Sequence, residues 1–328
     1  MSTEAAHITE LRDSSATAAT EVAQRIIANV GKVLEGKREV VELAVAALLA
    51  RGHLLIEDVP GVGKTTLARA MAASIGVEFR RLQFTSDLMP ADVLGGSVYS
   101  QQKGEFSFRK GPIFTNVLLA DEINRTTPKT QSALLEAMDE RRVSLDGHTH
   151  VLEEPFFVLA TQNPEEFFGT YPLPESQLDR FLMRVRIGYP PEEVERAVIA
   201  RRRKHDPVSD LVAVVDRRDL VSAQASVDRV RVSDEVVEYL HGLVLATRAT
   251  PLLSIGASTR AAIALERAVR AHALTGGRHY ATPDDVKTVA VAVLAHRVRP
   301  SGSRDGGAAH VDGERIIRDL LSSLPVPV

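Results

Sequence analysis

The chain has 328 residues, 44% of them hydrophobic, enough for a substantial core and, at roughly 150 residues per domain, for two domains. It contains no cysteine, which excludes disulfides and thiolate metal sites, and its formal charge of −3 gives no overall attraction to nucleic acid. No uninterrupted apolar run of about 18 residues is present, and "MSTEAAHITELRDSS" lacks the basic-then-apolar order of a secretory signal, so a cytoplasmic protein without a membrane segment is expected.

Residues 1–20 are polar, rich in Ala, Ser and Thr, and without an apolar period, which reads as a flexible tail. Helical spacing then occurs twice before residue 52, broken near Gly36. "HLLIED" (53–58) reads as a buried strand, "TTLARAMAASIG" (65–76) as a helix closed by Gly76, and "EFRRLQF" (78–84) as a second strand. "NVLLADE" (116–122), "FFVLATQN" (156–163) and "FLMRVRIGY" (181–189) supply three more strands, with a helix at "KTQSALLEAMDERR" (129–142). This alternation predicts an α/β domain over residues 21–190, an αβα core with a parallel five-stranded sheet. Two inserts, 94–112 and 142–155, the second carrying Asp146-Gly147, predict β-hairpins outside that sheet, with surface loops as the plain alternative. From residue 191 to 328 the pattern turns helical, with Thr282-Pro283 marking one helix start, and predicts a smaller all-α domain.

Chemistry concentrates at strand ends. In "DVPGVGKTTLARA" (58–70), Gly63, Lys64 and Thr65 fill the last three places of the phosphate-loop pattern, while Asp58 stands where its first glycine belongs. Residues Pro60, Gly61, Val62, Gly63, Lys64, Thr65 and Thr66 would form the phosphate cradle, with backbone amides, the lysine charge and the positive end of the following helix all favouring an anion. Asp58 precedes that cradle, which survives if the carboxylate turns away. Asp121 and Glu122 end an apolar strand: with Thr65, Asp121 would hold Mg²⁺, partly through water, and Glu122 would polarise an attacking water. Asn163, ending the next strand, could hydrogen-bond that water or the γ-phosphate. Each feature alone has a plain alternative, a glycine-rich turn, a charged strand end or a polar strand cap; their order points to a phosphate-loop hydrolase. His148 and His150 on one hairpin strand are too few for a metal site.

The segments "GHLLIEDVPGVGKTTLARA", "DLMPADVLGG", "GPIFTNVLLADEINRTTPKTQSALLEAMDERRVS", "ATQNPEEFFGTYPLPESQLDRFLMR" and "GASTRAAIALERAVRAHALTGGRHYATPDDV" together resemble the MoxR family of AAA+ ATPases, over nearly the whole chain. The resemblance implies a P-loop NTPase core with a helical lid, assembled as a ring, usually a hexamer, that uses Mg-ATP to remodel a client protein. By resemblance Arg180 matches the arginine finger that completes a neighbour's active site, Asn163 the residue called sensor 1, and Arg260 the lid arginine called sensor 2, with Thr259 in place of the usual proline before it. It further implies maturation or activation of a partner complex, with a von Willebrand factor A domain protein or a metal-dependent enzyme as the suggested client, and makes Tyr99, Phe106 and Phe108 in the first insert candidate grip residues. The competing functions are a DNA-acting motor, for which "RRRKH" (201–205) is the best basic run, a nucleotide switch without turnover, and a metal-chelatase motor subunit.

Overall fold

The computed structural model describes residues 3–101, 104–163, 169–201, 206–302 and 307–327. In chain order it contains α1 (Thr3–Gly31), α2 (Arg38–Leu49), β1 (Leu54–Glu57), α3 (Lys64–Ile75), β2 (Phe79–Gln83), α4 (Pro90–Leu94), β3 (Gly95–Ser100), β4 (Glu105–Lys110), β5 (Val117–Asp121), α5 (Pro128–Glu140), β6 (Arg142–Leu145), β7 (His148–Val151) and β8 (Phe157–Gln162). There follow α6 (Glu175–Leu178), β9 (Met183–Val185), α7 (Glu192–Arg201), α8 (Arg217–Val227), α9 (Asp234–Ala249), β10 (Leu253–Ile255), α10 (Thr259–Thr275), α11 (Pro283–Leu294), β11 (Arg299–Pro300) and α12 (Gly307–Ser323). Apart from the backbone of Arg201, the basic run at 201–205 lies outside the described residues.

The five expected strands form one parallel sheet in the order β2-β5-β8-β1-β9. Every residue of β1, β5 and β8 is buried, because helices cover both faces and an apolar side chain is favoured at each position rather than at alternate ones. Leu54, Ile56, Leu119 and Leu159 face one apolar cluster with α1, α2 and α3; Leu55, Leu118, Val158 and Ala160 face the other, with Val93 of α4 and Leu134, Leu135 and Met138 of α5.

The first cluster does not stop at the expected boundary near residue 190. It continues into the helical domain through Leu220 and Val227 of α8, Leu265 and Val269 of α10, and Val286 and Val289 of α11. Helix α1 packs on α2, α3, α8 and α10 and so joins both parts. Buried amides reinforce the seam: Asn29 Nδ2 donates to Ser74 Oγ (3.0 Å) and Val212 O (3.1 Å), and Gln224 Nε2 donates to Leu48 O (2.7 Å).

Two expectations need correction. The stretch read as a flexible tail is helical from Thr3, and Ala19 is buried; alanine's helix propensity allows one helix to run back from the anchored face of Val22, Ile26 and Val30. The second domain is not entirely helical, since β10 and β11 pair antiparallel, Leu253 opposite Pro300 and Ile255 opposite Arg299, in segments too short to show a period.

Both inserts are hairpins, β3 with β4 and β6 with β7. They also touch each other. The Phe108 ring stacks on the His150 ring at 4.0 Å, and Ser97 Oγ donates to Asp146 Oδ2 at 2.5 Å. Phe108 is therefore half-buried between hairpins rather than available as a grip, whereas Tyr99 and Phe106 form an outward ring pair, 51% and 72% exposed.

Candidate active site

The turn after β1 holds Gly61 at φ +88° and Gly63 at φ +103°, where side chains are strained, and a Cβ on Gly63 would come within 3.0 Å of Leu34. Gly63 opens α3 without any side-chain cap, so the first amides of that helix remain available to an anion. Lys64, Thr65 and Thr66 are half-buried there, Val62 is buried, and Pro60 and Gly61 are exposed. Lys64 Nζ donates to the carbonyl oxygen of Asp58 at 2.6 Å. The Asp58 carboxylate faces away from the cradle: it accepts from the amides of Val59 (2.8 Å), Ile187 (2.7 Å) and Gly188 (2.7 Å). This explains the missing glycine, because the residue fastens the start of the loop to the segment leaving β9.

Parallel pairing of β5 with β8 and of β8 with β1 brings Asp121, Gln162 and Glu57 to the same end of the sheet, the carboxyl end where ligands of such sheets bind. The Thr161 hydroxyl accepts the amide N–H of Glu122 (2.9 Å) and donates to Asp121 Oδ1 (2.6 Å). Asp121 Oδ2 accepts from Arg81 Nε (3.0 Å) and Nη2 (2.6 Å). Glu122 has a left-handed backbone, φ +58°, and its Oε2 accepts from Gln83 Nε2 at 2.6 Å and lies 3.2 Å from Arg125 Nε. Asn163 is buried just beyond β8. A cavity of about 320 Å³ adjoins the loop, with Val33 and Leu34 from the α1–α2 turn and Pro190, Val194 and Pro207 forming its apolar side.

Arg180 and Arg260 are elsewhere. They line a second pocket of about 380 Å³ beside Gly52 and His53, at the amino end of β1 and hence at the opposite end of the sheet from the loop. Arg180 is ion-paired with Asp139 at the end of α5. Arg260, in the first turn of α10 behind the Ser258 cap, lies 3.3 Å from both Asp139 and Asp179. Arg297 fixes the segment that carries Arg180: its buried guanidinium donates to Asp179 Oδ1 (2.6 Å) and to the carbonyls of Phe181 (2.6 Å) and Leu182 (3.0 Å).

Comparison with known proteins decides the family. A model of the ATPase family associated with various cellular activities (AAA) matches residues 53–183, and one of the AAA lid domain matches residues 245–320. The chain is 40% identical to chaperone MoxR1 of Mycobacterium tuberculosis, over 93% of this chain and 82% of that protein. The chain belongs to the MoxR family of AAA+ ATPases. It is also 48% identical to the uncharacterized protein YeaC of Bacillus subtilis, over 93% of this chain and 94% of YeaC. The crystal structure of a proposed ATPase from Cytophaga hutchinsonii matches with a TM-score of 0.87 at 36% identity, covering 98% of this chain and 99% of that one.

In this MoxR chain the loop rests on a buried ion network that the motifs do not reveal. Glu57 accepts from Arg184 Nη1 (2.8 Å) and Gln162 Nε2 (2.8 Å), and Arg184 Nη2 reaches Glu314 of α12 at 3.0 Å. Burial lowers the Arg184 pKa, while Glu57 and Glu314 act against that shift. Sequence reasoning also missed Arg81, Gln83, Thr161 and Arg297. Only Thr161, within "ATQN", stood close enough to a motif to be noticed. No helix among the described residues is long and apolar enough to cross a membrane.

Proposed function

We propose that this protein hydrolyses ATP to ADP and phosphate at sites shared between copies of itself in a ring, a hexamer, and uses the cycle to remodel or mature a partner protein in the cytoplasm. One observation carries the reading: the anion cradle at 60–66 and the arginine pair Arg180 and Arg260 occupy opposite ends of one sheet. Neither arginine serves its own loop from there, but head-to-tail contact of two copies would bring one end against the other, and a heterologous contact that closes makes a ring.

The residues suit Mg-ATP. The glycine turn leaves room for phosphate without a Cβ, and the uncapped amides of α3 and Lys64 favour its charge. Among the described residues no three-carboxylate or histidine cluster exists for a metal, which suits Mg²⁺ held by Thr65, Asp121, water and phosphate oxygens. When bound, Mg²⁺ supplies charge neutralisation at the transferring phosphoryl group. Arg81 must release Asp121 for that role. Glu122, turned sideways by Gln83 and Arg125, would accept hydrogen bonding from the attacking water once it swings free; Asn163 would orient that water. Val33, Leu34, Pro190, Val194 and Pro207 offer an apolar bed for the base. The name of the relative MoxR1 supports a chaperone role, and a von Willebrand factor A domain protein is the client we propose.

Steady-state ATP hydrolysis over a range of protein concentrations tests this. Specific activity should rise with concentration, and both Glu122→Gln and Arg180→Ala should lower it by roughly 10²–10⁴. Activity independent of concentration and of Arg180 would end the shared-site reading.

A further inference from the structure

The pocket that holds Arg180 and Arg260 carries more positive charge than its own carboxylates use. Six arginines line it, Arg51, Arg141, Arg180, Arg260, Arg267 and Arg297, against three acids, Asp139, Glu140 and Asp179. Arg297 is saturated by Asp179 and main-chain carbonyls. Arg141 is engaged by Arg51 O and Glu154, Glu140 is drawn off by Arg142, and Arg180 and Arg260 share Asp139. Arg267 differs: it is exposed to solvent at the pocket's edge and makes no hydrogen bond and no ion pair within 4 Å among the described residues. Partial desolvation and the crowding charges of Arg141, Arg260 and Arg51 lower its pKa, with Asp228 alone opposing them. Arg51, moreover, keeps its Nε buried without a hydrogen-bond partner.

Arg267 follows Arg260 by seven residues on α10, two turns along the same face and about 10 Å along the axis, a separation that two arginine side chains can close. Ile263 and Ala264 between them also line the pocket. An exposed guanidinium beside like charges, with no carboxylate among the described residues to hold it, is open to an anion with several negative oxygens, and planar forks bind phosphate better than point charges do.

We propose that Arg267 is a third guanidinium, beside Arg180 and Arg260, that binds the γ-phosphate of an ATP held in the loop of a second copy of this chain. This rests on the shared-site reading above, so its test separates the two. ATP turnover is measured for wild type, Arg267→Ala, Arg267→Lys and Arg180→Ala across protein concentration, together with binding of a fluorescent ADP analogue and thermal melting.

Arg267→Ala should melt like wild type and bind the analogue within about twofold, yet lose turnover by roughly tenfold or more, with Arg267→Lys recovering only part. Mixed in equal amounts with Lys64→Ala, which keeps its arginine pocket but loses its cradle, Arg267→Ala should regain activity toward about a quarter of wild type, the fraction of interfaces that pair a sound cradle with a sound pocket. Wild-type turnover in Arg267→Ala while Arg180→Ala is inactive would refute the role of Arg267 and leave the shared site standing. A mixture no more active than Arg267→Ala alone would mean that Arg267 acts within its own chain, and would also overturn the proposal. Full turnover in Arg180→Ala as well would bring down the shared site itself.

Discussion

At the scale of single residues, burial sets protonation. His53, at the entrance of β1, has Nε2 3.2 Å from Met138 O and Nδ1 3.1 Å from the amide of Val158, which the neutral ring with its proton on Nε2 satisfies at both ends. Burial lowers its pKa from 6.5 to about 4, against the raising effect of the Met138 hydrogen bond. Above pH 6.5 the ring is neutral in both folded and unfolded chains. As pH falls from 6.5 toward 4 the unfolded chain takes up a proton that the folded one refuses, so stability is lost over that window, by roughly 3 kcal/mol at most. Urea unfolding at pH 7.5 and pH 5 should show a smaller loss for His53→Asn than for wild type; equal losses would contradict this. Asp285 works in the opposite sense: burial would raise its pKa, but hydrogen bonds from Arg278, His272 and the Thr282 amide hold it well below the usual carboxylate range. The stability it gives is complete above the ordinary aspartate range and disappears only in strong acid.

At the scale of elements, strands and loop were legible because their signals are local. "LLIE" before a glycine turn, and an apolar run ending in Asp121-Glu122, are contiguous patterns, and β1 and β5 match them within a residue. What holds those elements was not legible, because it pairs residues far apart in the chain. Arg81 meets Asp121 forty residues on, and Arg297 meets Asp179 across 118. Nothing in a solitary arginine announces a partner at such distance. Arg297→Ala should therefore destabilise the protein by about 3–5 kcal/mol, as breaking a buried charged contact does, and should lower turnover further than the loss of fold explains, since it frees the segment of Arg180. Comparing denaturation midpoints with activity at low temperature separates the two effects. Arg184→Ala should cost a similar amount by leaving Glu57 buried beneath the loop with its main counter-charge gone.

At the scale of the whole molecule, the expected boundary near residue 190 exists in sequence pattern but not in packing. One apolar cluster extends from the sheet through α1 to α8, α10 and α11, so the two parts should unfold together. Calorimetry should give a single transition, and Ile26→Ala, a fully buried change in α1, should lower it by an amount equivalent to about 2–5 kcal/mol without splitting it. Two resolved transitions would contradict the shared core. The distribution of charge has the same breadth of effect. A net charge of −3 hides an arginine-rich pocket at the end of the sheet opposite the anion cradle, the arrangement on which the proposed head-to-tail contact rests.

The stacked hairpins carry a mechanical consequence. Phe108 on His150 and Ser97 on Asp146 join them into one fin, with Tyr99 and Phe106 at its outer surface. The second hairpin begins at Arg142, directly after the helix whose last turn bears Asp139, the counter-ion of Arg180 and Arg260. A load applied to the fin thus has a short, stiff path to the residue that parks both arginines, and tension at the outside of the fold becomes a displacement of charge at the boundary we propose between subunits.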